Sequence, residues 1–138
     1  MIIDKEWARA FAEEWIAAWN SHDLERIFSH YTDDFEMCSP FIVERMREPT
    51  GILRGKMAIR PYWSPALKAQ PPIRFELISA YAGADRIAIH YRSVGRTLVV
   101  EVLTFNAQRQ ATHGVALYGD PDQGTGSHRA PAGVTIPS

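Results

Sequence analysis

The chain has 138 residues, of which 46% are hydrophobic, and fifteen Lys and Arg against sixteen Asp and Glu leave a net charge of −1. That length holds one core and no second domain, and the scattered charge excludes a nucleic-acid backbone or an anionic membrane as partner. No apolar run approaches the roughly 20 residues that cross a bilayer.

Single residues narrow the class further. Cys38 stands alone, so no internal disulfide forms and a reducing compartment is expected. The five histidines, His22, His30, His90, His113 and His128, lack the spacing of zinc ligands. The opening Met1-Ile2-Ile3-Asp4-Lys5 turns charged at once, unlike a secretory signal. These features predict a cytoplasmic protein without metal or cofactor.

Helices are predicted in the first half. Asp4 caps a helix running to about residue 20, with Ala8, Phe11, Ala12, Trp15 and Trp19 at helical spacing. Asn20-Ser21-His22-Asp23 breaks it and caps a shorter helix whose stripe is Leu24, Ile27, Phe28 and Tyr31. After Thr32-Asp33-Asp34, residues 35–39 alternate like a short strand. Residues 40–54, with Pro40, Pro49 and Gly51, read as irregular. A third helix is expected over 56–69, burying Ile59, Trp63 and Leu67 and kinked or restarted at Pro61.

Strands are predicted in the second half. Segments 73–82, 87–94, 97–105 and 110–118 are rich in β-branched and aromatic residues. Gly83-Ala84-Asp85-Arg86, Gly95-Arg96 and Asn106-Ala107-Gln108-Arg109 supply the turns. Three helices and then an antiparallel meander define an α+β fold with helices on one sheet face. From 120 to 138 the chain turns rich in glycine and proline, a tail that buries no core of its own. The single domain is therefore bounded at 1–119.

The order of elements resembles that of nuclear transport factor 2 and the SnoaL-like enzymes. Trp15-Ile16-Ala17-Ala18-Trp19-Asn20-Ser21-His22-Asp23 is similar to the end of that superfamily's first helix, and Tyr31-Thr32-Asp33-Asp34-Phe35 to its acidic step into a strand. Gly51-Ile52-Leu53-Arg54-Gly55-Lys56 resembles the lead into its third helix. Phe105-Asn106 and Ala116-Leu117-Tyr118-Gly119 resemble its last hairpin and closing strand. Ser39-Pro40-Phe41-Ile42 and Tyr91-Arg92-Ser93-Val94 resemble an uncharacterised bacterial branch. The likeness covers residues 5–119. It implies a cone-shaped fold in which three N-terminal helices pack on a curved, mostly antiparallel sheet and enclose a pocket. Function does not carry over with the fold, because relatives include isomerases, cyclases, hydrolases and non-enzymes.

Matched residue by residue to ketosteroid isomerase, the chain departs from the pattern. Ser39 stands where that enzyme has its proton-carrying aspartate before a proline, and a serine cannot shuttle a proton at neutral pH. Trp15 stands at the oxyanion-donating tyrosine, and Glu101 at the second oxyanion donor. Steroid isomerisation is therefore not expected. Limonene epoxide hydrolase needs two carboxylates around an arginine and a water, of which Glu101 and Arg92 supply half.

Glu101 also stands out without the family. Leu98-Val99-Val100-Glu101-Val102-Leu103 is apolar on both parities, so the carboxyl is expected to be covered and to need a partner or a raised pKa. A two-residue turn at Gly95-Arg96 would pair Val94 with Thr97 and place His90 opposite Glu101. Arg92, His90, Glu101 and Leu103 would then share a face. Such a pair reads either as an acid–base site or as an ion pair that holds the sheet or lies in a dimer interface.

The resulting expectation is a protein that binds a small, mostly apolar or aromatic ligand. Its pocket is lined by Trp15, Trp19, Tyr31, Ser39, Trp63, Arg92 and Leu103, with Glu101 and His90 as acid–base pair. A non-catalytic binding or protein-interaction module is the alternative. The apolar face of Ile87, Ile89, Tyr91, Leu98, Val100 and Val102 predicts a homodimer through the sheets.

Overall fold

The computed structural model describes residues 1–123. Helix α1 (Lys5–Ser21) starts where expected, with the Asp4 carboxylate accepting the Trp7 N–H at 2.7 Å. It buries Ala8, Ala12, Trp15, Ile16, Ala18 and Trp19 along one face. His22 closes it in a left-handed conformation at φ 62°. Asp23 then caps α2 (Leu24–Phe28), accepting from the N–H groups of Glu25 and Arg26.

Strand β1 (Tyr31–Cys38) begins earlier than its alternation suggests. Tyr31, expected on the second helix, pairs in parallel with Ala111 instead. Residues 40–54 are also more ordered than expected, forming α3 (Pro40–Met46) and the short edge strand β2 (Ile52–Arg54). The local chemistry accounts for α3. The Ser39 hydroxyl accepts the Phe41 N–H at 3.2 Å, and Pro40, at the first helical position, has no N–H to leave unpaired.

Helix α4 (Lys56–Leu67) carries Pro61 and Pro65 without restarting. Both prolines are exposed, where water makes up a lost helix hydrogen bond. Strands β3 (Glu76–Ala82), β4 (Arg86–Arg92), β5 (Thr97–Phe105) and β6 (Ala111–Pro121) follow. The sheet order is β2-β1-β6-β5-β4-β3, antiparallel except between β1 and β6. Register shifts within β1, β3, β5 and β6 interrupt the ladders, which adds twist and curvature. This is the expected α+β cone, with four helices rather than three among the described residues. Strand β6 runs on to Pro121, and Asp122 is held by Arg92. From 124 the predicted glycine- and proline-rich tail lies outside the described residues.

The β4–β5 hairpin differs from expectation by one residue. Its turn is not the pair Gly95-Arg96 but a three-residue 3₁₀ turn, Val94–Arg96, closed by the Ser93 N–H on the Thr97 carbonyl at 2.8 Å. Gly95 and Arg96 both take positive φ, 71° and 62°. Arg92 therefore opposes Leu98, His90 opposes Val100, and Glu101 opposes Ile89. A one-residue slip turns every side chain to the other face. Ile87, Ile89 and Tyr91 share the helix-packed face with Val99, Glu101 and Leu103, whereas Leu98, Val100 and Val102 lie on the convex face with His90. The two halves of the apolar face expected for dimerisation thus point in opposite directions.

Asn20 ties the end of α1 to the chain entering β3. Its amide donates to the Phe75 carbonyl at 3.0 Å and accepts the Phe75 N–H at 2.7 Å. Asn20→Ala removes both bonds and leaves two partly covered backbone groups unpaired. It is expected to lower stability by about 2 kcal/mol, read as a lower denaturant midpoint, while Asp4→Ala at the helix cap costs about 1 kcal/mol.

Candidate functional site

A cavity of about 690 Å³ opens between the helices and the concave sheet face. Its walls are aromatic because α1 aims Trp15 and Trp19 inward one turn apart, α4 adds Tyr62 and Trp63, and the Asn20-clamped segment adds Phe75. Trp15 stacks on Phe75 with ring centres 6.0 Å apart, Phe75 meets Tyr91 at 4.5 Å, and Trp19 meets Trp63 edge-on at 4.9 Å. The surface suits a flat, apolar molecule.

Among the described residues, Glu101 is the one carboxyl in this wall. It is 4% exposed and flanked across the ladders by Ile89 and Ala116. Burial in these surroundings pushes its pKa up to about 8, and the Tyr91 hydroxyl, donating to Oε1 at 3.2 Å, offsets only part of that rise. Near neutral pH the group is therefore mostly a neutral acid with a proton to give.

Phenols surround it. Burial raises the pKa of Tyr31, Tyr91, Tyr118 and Tyr62, and the Glu101 charge raises each of them further. All four remain protonated at physiological pH. Tyr62 donates to the Ser39 hydroxyl at 3.2 Å.

Of the residues expected at the site, Trp15, Trp19, Trp63 and Glu101 line the cavity. Tyr31 is fully buried behind the wall, where its hydroxyl accepts the Trp15 indole N–H at 2.9 Å. The Trp15 indole N–H is thus already engaged. Ser39 is also buried behind the wall, held by Tyr62 and by its capping of α3. Leu103 is core, filling the space that Gly114 leaves beside Met37.

His90 and Arg92 are not part of the site. The turn places both on the other sheet face, where Arg92 pairs with Asp122 at 2.7 Å and Glu76 at 3.5 Å. The expected His90–Glu101 pair does not form, and the partner of Glu101 is Tyr91. Tyr62, Tyr91, Tyr118 and Phe75 are lining residues that sequence reasoning missed, and Arg45 lines the cavity as well. Tyr91 had a visible signal, since Ile87, Ile89 and Tyr91 alternate and carry one buried face. The Trp19 indole N–H is buried and has no acceptor among the described residues. Among those residues no cluster of three or more His, Cys, Asp or Glu side chains offers a metal site, and no helix is long and apolar enough to cross a membrane.

A cone of helices packed on a curved sheet is the fold of the nuclear transport factor 2-like superfamily. Within it, this chain belongs to the SnoaL-like family, whose domain profile matches residues 12–122. A SnoaL-like protein of unknown function from Burkholderia thailandensis is 45% identical, with 86% of this chain and 99% of that one aligned at a TM-score of 0.83. AclR, a putative hydroxylase from Streptomyces galilaeus, is 20% identical over 84% of this chain and 77% of that one, TM-score 0.65. SalBIII, an epoxide hydrolase/cyclase-like enzyme of pyran ring formation in salinomycin, is 17% identical over 84% and 93%, TM-score 0.64. The last two likenesses carry the fold alone. None of the curated proteins matches the chain.

The raised pKa of Glu101 has a thermodynamic consequence. The folded state keeps a proton up to about pH 8, whereas a solvated carboxyl with its ordinary pKa of 4.5 has lost it by then. Unfolding therefore releases a proton between these limits, and stability falls as pH rises by about 1.4 kcal/mol per unit. It levels off above pH 8, where both states are ionised. Glu101→Gln should remove this slope, and unfolding titrations of the two proteins across the window measure the difference.

Proposed function

We propose that the protein binds a small, flat, mostly apolar molecule and transfers a proton at one of its oxygens, with Glu101 as general acid. The carrying observation is a carboxyl 4% exposed in an aromatic cavity, with a pKa of about 8. A general acid works best when its pKa lies near the working pH, and this one holds its proton at neutral pH and gives it up readily. Tyr91 orients the carboxyl. This is chemistry of the isomerase, cyclase or hydrolase type, and SalBIII, with the same fold, is named for such a class.

Two aromatic probes test the reading. In 2-acetylnaphthalene the acid assists exchange of α-protons into deuterium oxide; in styrene oxide it assists ring opening. Turnover above buffer is expected on at least one, falling as pH rises through 8, and lost in Glu101→Gln with probe binding retained. Wild-type protein that binds both probes yet matches buffer on both would overturn catalysis in favour of the non-catalytic binding module.

We also infer that the chain pairs with a second copy through its convex sheet face. Support comes from Val100 and Val102 beside Leu117 and Tyr81, which are 53% and 56% exposed. Light scattering is expected to give twice the chain mass at micromolar concentration; a monomer there would overturn the pairing.

A further inference from the structure

Charge in the cavity is sparse and unevenly placed. Among the described residues that line it, only Glu101 and Arg45 can carry any. Glu101 lies deep and is mostly neutral near pH 7. Arg45, in the last turn of α3, is exposed while also lining the cavity, which puts it at the rim. Among the described residues, the wall around a bound molecule therefore holds one uncompensated positive charge.

That arginine stands apart from most others in the fold. Arg9, Arg26, Arg54, Arg60, Arg86, Arg92 and Arg96 each pair with a carboxylate. Arg45 pairs with none among the described residues. It rests instead over the Phe41 ring, 4.6 Å from its centre, and Phe41 in turn packs edge-on against Tyr118 at 4.7 Å. Stacking of this kind orients the guanidinium plane while leaving its N–H donors open. Its positive charge reaches Tyr62 and Tyr118 on the cavity wall, lowering the pKa of both against the larger effect of burial.

We propose that the ligand is an amphipathic carboxylate whose anionic head pairs with Arg45 at the rim while its apolar body lies on the aromatic wall. The planar guanidinium fork matches a carboxylate in two parallel hydrogen bonds. A neutral molecule of the same shape would leave that fork facing water, and a cation would be repelled by it. The inference rests on the proposed ligand cavity and adds the class of molecule that enters it. It does not depend on whether Glu101 turns that molecule over.

The test compares 3-(2-naphthyl)propanoate with its primary amide, which has nearly the same shape and no charge, by titration calorimetry near neutral pH in low salt. The acid is expected to bind about tenfold more tightly than the amide, the value of one charge-assisted pair. Arg45→Gln should bring the two within about twofold by weakening the acid alone, and Arg45→Lys should restore part of the preference as a point charge does. Arg47→Gln, which removes the same charge from the same helix end outside the cavity, should leave the ratio unchanged. Equal binding by the wild type, or a preference that survives Arg45→Gln or disappears in Arg47→Gln, would overturn the anion site and leave the Glu101 reading standing. Binding of neither probe would overturn the ligand cavity, and this inference with it.

Discussion

Between β4 and β5 the chain reverses over three residues, and the positive φ angles of Gly95 and Arg96 determine how the two strands meet. Strand side chains alternate strictly, so this turn decides which half of β5 faces the helices. Val99, Glu101 and Leu103 go inward, and Leu98, Val100 and Val102 go outward. Glycine meets the conformation at no steric cost, whereas Arg96 holds a left-handed angle that non-glycine residues adopt infrequently. The Arg96 side chain helps hold it there, donating to the Asp122 carbonyl at 3.0 Å.

Once turned inward, a carboxyl has few options. An ionised group in an apolar wall is costly unless it is paired, and among the described residues no cation stands beside Glu101. The favourable state is the protonated one, with Tyr91 donating to one oxygen and the acid's own proton free to point into the cavity. Hydrogen-bond donors thus converge on a space otherwise built from rings. Such a space favours a guest that is flat over most of its surface and bears oxygen acceptors at a few points.

Much of the architecture was legible because its signals are local. Asp4 and Asp23 cap helices, Trp15 and Trp19 mark an inward stripe, and β5 was bounded to the residue. Ser39-Pro40 carried a helix start as well, although the prolines and glycine around it hid the seven-residue α3. The site was less legible. Glu101 betrays itself as a lone charge in an apolar run, yet its partner depended on turn length, and neither Gly95 nor Arg96 discloses whether two or three residues reverse the chain. Arg92 and His90 fell on the wrong face for that one reason. Tyr31 and Ser39 were placed near the right surroundings but one layer too shallow. The contributions of Tyr62, Tyr118 and Arg45 depend on α3, α4 and β6 converging, which no periodicity encodes.

The parallel pairing of β1 with β6 has a bearing on how the molecule comes together. Strands from opposite ends of the described chain lie side by side within the sheet, and β6 also carries β5 along its other edge. Tyr31 enters its strand beside Ala111, whose N–H reaches the His30 carbonyl at 2.9 Å. Contacts of such long sequence separation close large loops before any burial repays the lost entropy. Helices α1 and α2 carry their own caps and can form early, but the cone has no closed wall until β6 arrives. Assembly is therefore a late, concerted event, and until it happens the acid and the rings that will surround it are all in water.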